Sequence, residues 1–82
     1  MTKQEFEERF VEILRRVKND PEMSAPSSAE SLWDGGYLTS FTMVEVISRL
    51  EALLGRELVL SADALRSFYS VDRIFETYVA DS

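Results

Sequence analysis

Thr39-Ser40-Phe41-Thr42-Met43-Val44-Glu45-Val46-Ile47-Ser48-Arg49-Leu50-Glu51-Ala52-Leu53-Leu54-Gly55 reads as one amphipathic helix with both ends marked. At about 100° per residue, Met43, Val46, Ile47, Leu50, Leu53 and Leu54 fall on one broad face, with Val44 at its edge. Gly55 is the residue type that closes a helix in the left-handed conformation. Thr39 and Ser40 both carry a hydroxyl suited to the N-cap, and only one is needed. If Thr39 caps, Ser40 takes the first helical position with its hydroxyl free. Phe41 lies off the apolar face, among Glu45, Ser48 and Ala52. It either folds back on the preceding loop or serves as a recognition residue at the helix start. A helix N-terminus also favours a phosphate attached there, because unpaired amides and the positive end of the dipole face it.

Outward from this helix, three more segments are predicted. Thr2 to Lys18 is helical: Thr2 and Glu5 have the spacing of a capping box, and Phe6, Phe10, Ile13, Leu14 and Val17 form the apolar stripe. Glu7, Glu8 and Glu12 alternate with Arg9, Arg15 and Arg16 on the opposite face, and Asn19-Asp20-Pro21 stops the helix. Ser61 to Leu65 suggests one short turn of helix capped by Ser61. After Ser70, Val71, Ile74, Phe75, Tyr78 and Val79 make the stripe of a last helix. Glu57 to Leu60 reads as an extended buried link, since no second strand candidate exists to pair with it. Residues 19 to 39 form a long loop between the first two helices, tied down by Leu32, Trp33, Tyr37 and Leu38, with Trp33 an apolar anchor. The expected fold is all-α: a small bundle of three main helices plus one short helix, in a single domain over residues 1–82.

Composition narrows the chemistry. The chain has no cysteine and no histidine, so serine–histidine and cysteine–histidine catalysis are excluded, as is a thiol or imidazole metal site. The 45% hydrophobic fraction is that of a globular domain. Fifteen acids against nine bases leave a formal charge of −6, which opposes nucleic acid and anionic membranes and favours basic protein partners. No run reaches membrane-spanning length, and the cytoplasm is the expected location. The charge is uneven. Residues 19–48 hold Asp20, Glu22, Glu30, Asp34 and Glu45 with no base, so partners are expected to dock around Ser40. Glu45 and Glu51 stand about 120° apart around the helix axis, which does not converge them on a catalytic site.

Gly36-Tyr37-Leu38-Thr39-Ser40-Phe41, followed by Val44-Glu45-Val46-Ile47, Leu50-Glu51 and Leu54-Gly55, resembles the acyl and peptidyl carrier proteins. Their hallmark is G-x-x-D-S-[LF] at the start of the second helix, and the free-standing and D-alanyl-type carriers have the most similar form. The resemblance spans roughly residues 32 to 79 in order and spacing.

The resemblance implies a covalent cofactor, 4′-phosphopantetheine, transferred from coenzyme A onto Ser40 by a phosphopantetheinyl transferase. Its thiol would carry an acyl or aminoacyl group as a thioester, for polyketide, nonribosomal peptide or amino-acid biosynthesis. An adenylating ligase or acyltransferase would load it, downstream synthase or tailoring enzymes would unload it, and the carrier itself would be a monomer and not an enzyme. Phe41, Glu45 and Ser48 are implied as the face partners read, with Glu51 extending the same acidic surface. Thr39 stands where the family has aspartate, so it can replace the cap but not the charge. A carrier-like protein that is never modified and acts as an interaction module is the alternative.

Overall fold

A computed structural model of the chain describes residues 1–58 and 64–80, with residues 64 and 65 described by their backbone alone. Helix α1 runs Lys3–Val17, α2 Ser40–Leu54, α3 Ala64–Ser67 and α4 Val71–Tyr78. The described residues contain no strand, and the expected bundle of three main helices and one short one is what they form. Of the short helix, the described residues hold Ala64–Ser67. The Ser61 cap and the Val59-Leu60 half of the extended link lie outside the described residues.

Each long helix is started by the side chain that the local pattern marks. Thr2 accepts the Glu5 amide at 3.2 Å, although Glu5 receives the Thr2 hydroxyl rather than closing a full capping box. Ser70 does the same for Arg73 at 3.2 Å. The end of α1 is made by Asn19, not by the proline that follows. Asn19 adopts φ 54°, the Asn19 amide donates to the Arg16 carbonyl and the Asp20 amide to that of Arg15. That paired set of backbone bonds is a Schellman closure. Gly55, at φ 71°, ends α2.

Phe6, Phe10 and Leu14 of α1 meet Met43, Val46, Ile47 and Leu50 of α2, with Val71 and Ile74 of α4 closing the third side. Phe6 joins two helices: its ring lies 5.8 Å from that of Phe10 and 5.7 Å from that of Phe75. Burying one such aromatic contributes on the order of 2 kcal/mol, so these few residues dominate a core this small. Val11, off the expected stripe, is buried as well, in a groove it shares with Pro26 and Val71.

Between α1 and α2 the chain runs in turns held to the bundle by its own backbone. Leu32 and Leu38 are fully buried, while Trp33 and Tyr37 pack half-buried against the core. The Leu32 carbonyl accepts from Tyr37 at 2.9 Å and from Leu38 at 3.1 Å, closing the turn through Gly36 at φ 77°. The Leu32 amide donates 2.8 Å to the Tyr69 carbonyl, and Asp72 donates 2.9 Å to that of Ser28, so two bonds fasten the loop to the start of α4. Lys18 Nζ reaches the Gly36 carbonyl at 2.6 Å from the other side. The segment that delivers Ser40 is therefore anchored before α2 begins.

Candidate functional site

Two hydroxyls compete for the start of α2, and the geometry separates them. Thr39 is extended, with φ −133° and ψ 168°, and its Oγ1 accepts the Thr42 amide at 3.1 Å. Thr42 Oγ1 in return accepts the Thr39 amide at 3.0 Å. The capping box is thus built from two threonines. Ser40 is left as the first helical residue, solvent-exposed, and its hydroxyl makes no hydrogen bond among the described residues. The amides of Ser40 and Phe41 are likewise without a partner among them. A nucleophilic oxygen, two open N–H groups and the positive end of a fifteen-residue helix coincide at this point.

Phe41 does not fold back on the loop: it is 89% exposed, which overturns that reading of the residue. Val44, at the edge of the core face by periodicity, is 72% exposed. Phe41, Val44, Glu45 and Ser48 together with Val17 and Thr42 line one groove of about 400 Å³ beside Ser40. Three of the four residues expected to face partners (Phe41, Glu45 and Ser48) are therefore neighbours. Val17 and Val44 join them, which periodicity alone assigns to the core stripe and its edge.

Glu51 does not belong with them. Its carboxylate accepts the Leu58 amide at 2.8 Å and is half-buried. It holds the chain leaving α2, and that role has a simple cause. The backbone that turns at Gly55 must pass back over the last turns of α2, and Glu51 Oε2 supplies the acceptor its amide needs.

Two of the acids around Ser40 also hold turns. Asp20 accepts the Glu22 amide at 3.2 Å and Glu30 accepts that of Ser27 at 2.5 Å, both bonds internal to turns. Glu45 faces Arg49 at 3.8 Å along one helix face, both side chains well exposed, a geometry that adds little to stability. Asp34 and Glu22 are exposed.

Among the described residues no group of carboxylates is arranged to hold a metal ion, and no helix is long and apolar enough to cross a membrane. Comparison with protein-family models, with curated proteins and with solved structures finds no match for this chain.

The residues fit the group that the sequence motif implies. A phosphodiester on Ser40 Oγ would project from the helix start into solvent, within reach of the unpaired Ser40 and Phe41 amides. The Phe41–Ser48 groove would run alongside it.

Proposed function

We propose that this chain is a carrier protein of the acyl and peptidyl carrier type, with Ser40 the attachment residue for 4′-phosphopantetheine and with no catalytic activity of its own. The observation that carries the reading is the division of labour between Thr39 and Ser40. Thr39 and Thr42 satisfy each other across the cap, so esterification of the exposed Ser40 hydroxyl disturbs no bond of the fold. The motif around Ser40 and the exposed apolar pair Phe41 and Val44 support the same reading.

When bound, the cofactor supplies the thiol that this cysteine-free chain lacks, and that thiol carries an acyl or aminoacyl group as a thioester. The chain's own residues do the rest. Ser40 Oγ would form the phosphodiester by displacing adenosine 3′,5′-bisphosphate from the pyrophosphate of coenzyme A, and its proton would pass to the transferase or to water. The helix N-terminus stabilises the phosphate charge. Phe41, Val44, Glu45 and Ser48 offer the transferase, the loading ligase or acyltransferase and the downstream enzymes an apolar ridge with one carboxylate. Attraction of the net negative chain to basic enzyme surfaces would speed encounter and weaken with salt.

Thr39 supports a second reading, an unmodified interaction module. It caps without contributing the negative charge that the motif carries in the family. Labelling separates the two: a broad-specificity phosphopantetheinyl transferase with fluorescent coenzyme A should label the wild-type chain stoichiometrically. No label, under conditions that label a known carrier fully, overturns the carrier reading in favour of the module.

A further inference from the structure

Five of the nine basic residues are occupied inside the fold. Lys3 pairs with Asp72, Arg15 donates to the Met23 carbonyl, Lys18 to that of Gly36, Arg56 to that of Tyr78, and Arg49 faces Glu45. Of the other four, Arg9 and Arg16 lie on α1, and Arg66 and Arg73 come together at the other end of the chain. Among the described residues neither Arg66 nor Arg73 is paired with a carboxylate, and both are exposed on a chain of net charge −6. They line the same open cleft of about 450 Å³, whose other two lining residues are Trp33 and Tyr69. The Arg73 guanidinium lies 5.7 Å from the centre of the Tyr69 ring, which holds it over an aromatic face with its N–H edge open.

The cleft is assembled from three segments and its walls are fixed. Trp33 follows the fully buried Leu32, Tyr69 follows the fully buried Phe68, and the Leu32 amide is bonded to the Tyr69 carbonyl at 2.8 Å. Its described lining residues are tryptophan, tyrosine and arginine, the three residue types most enriched among energetically dominant positions of protein interfaces. Sites for small molecules enclose most of the ligand. This one is open along its length, which favours a protein segment. Two unpaired guanidinium groups, whose planar forks match carboxylates, set the sign of that segment.

We propose that the cleft between Trp33, Arg66, Tyr69 and Arg73 is a docking site for an acidic segment of a partner protein. A bulky apolar side chain of the segment seats against Trp33 and Tyr69, and its carboxylates meet Arg66 and Arg73. Among the described residues the site shares none with the groove beside Ser40. A partner of opposite charge can therefore hold the chain here while Ser40 stays open, and the inference does not depend on Ser40 being modified.

Trp33 is the only tryptophan in the chain, so its fluorescence reports directly on the cleft. The test selects a random twelve-residue peptide library against the Ser40→Ala protein. Recovered peptides are then titrated against that protein and against the same protein carrying R66Q and R73Q. The expected result is a class rich in Asp and Glu around an aromatic residue or leucine. These peptides should shift Trp33 emission, weaken as salt rises and lose about tenfold or more in affinity on the double substitution. Both arginines are exposed, so the double variant should keep the wild-type melting midpoint, and the salt dependence on the parent protein is a readout that needs no variant. Recovery of no acidic class, salt-independent binding, or equal affinity for the double variant overturns the proposal. So does a cleft that binds phenyl phosphate and none of the peptides, which would make it a small-anion site.

Discussion

Thr39 and Thr42 cap α2 on each other: each side-chain oxygen accepts the other's backbone amide, at 3.1 and 3.0 Å. Two donors at the helix start are satisfied without any contribution from Ser40, the residue that follows Thr39. The consequence is a serine whose hydroxyl is spare, held at a fixed point of a rigid element by neighbours that do its structural work.

Removing the cap should therefore cost stability and leave Ser40 in place. Thr39→Ala is expected to lower unfolding free energy by about 1 kcal/mol. Thr39→Asp retains the acceptor and adds a charge favourable to the helix dipole, so it should match or exceed wild type by up to about 1 kcal/mol. Urea unfolding of the three proteins checks the order. On the carrier reading, Thr39→Asp should also be modified at least as fast as wild type.

Phe41 and Val44 are exposed apolar side chains on the face beside Ser40. Phe41→Ala is expected to change stability by no more than about 0.5 kcal/mol, because no packing is lost. Its effect should fall on partners: kcat/KM of the modifying transferase should drop while the melting curve stays put. A large loss of stability instead would mean that the ring is packed against the fold.

Glu45 and Glu51 look alike in the sequence and should behave in opposite ways. Glu51→Ala removes the acceptor of the part-buried Leu58 amide and is expected to destabilise by about 1–3 kcal/mol. Glu45→Ala should stay within about 0.5 kcal/mol of wild type, since its only pairing is a long, exposed one. Parallel denaturation curves decide between them.

The Lys3–Asp72 pair links the start of α1 to the first turn of α4 at 2.6 Å. Asp72 Oδ1 is buried, and the Lys3 ammonium is what compensates its charge. The hydrogen bond to Asp72 raises the Lys3 pKa above its ordinary 10.5, and the attraction of Asp72, Glu7 and Glu76 adds to it. The folded state thus holds this proton more tightly than the unfolded state. Its stabilisation is complete below the ordinary lysine value and is lost as pH rises through the higher folded one. Lys3→Met should be less stable than wild type at neutral pH, and the gap should close in alkaline solution. Urea midpoints measured across that range test the sign.

Local patterns made the helices legible because each rests on side chains a few residues apart. Phe6, Phe10 and Leu14, then Met43, Val46, Ile47 and Leu50, and Val71 with Ile74 repeat at helical spacing and are buried, and Thr2, Gly55 and Ser70 mark ends that the backbone uses. What escaped depends on partners distant in the chain or on an unusual residue at a familiar position. Thr42 completes a capping box where Glu or Gln is the common occupant, so the pattern does not advertise it. Glu51 turns inward because the Leu58 amide comes to lie over it. The Trp33–Arg73 cleft exists only because the Leu32–Tyr69 bond brings the loop to the start of α4, and no periodicity foretells that pairing.

The carrier reading rests on one covalent bond at one atom. Intact-mass spectrometry of wild type and Ser40→Ala, each incubated with coenzyme A and a broad-specificity phosphopantetheinyl transferase, tests it most directly. Wild type should gain the mass of a single phosphopantetheine, located on Ser40 by fragmentation, and Ser40→Ala should gain nothing. A wild-type chain that stays unmodified while a control carrier is fully converted, or a gain that persists in Ser40→Ala, would contradict it.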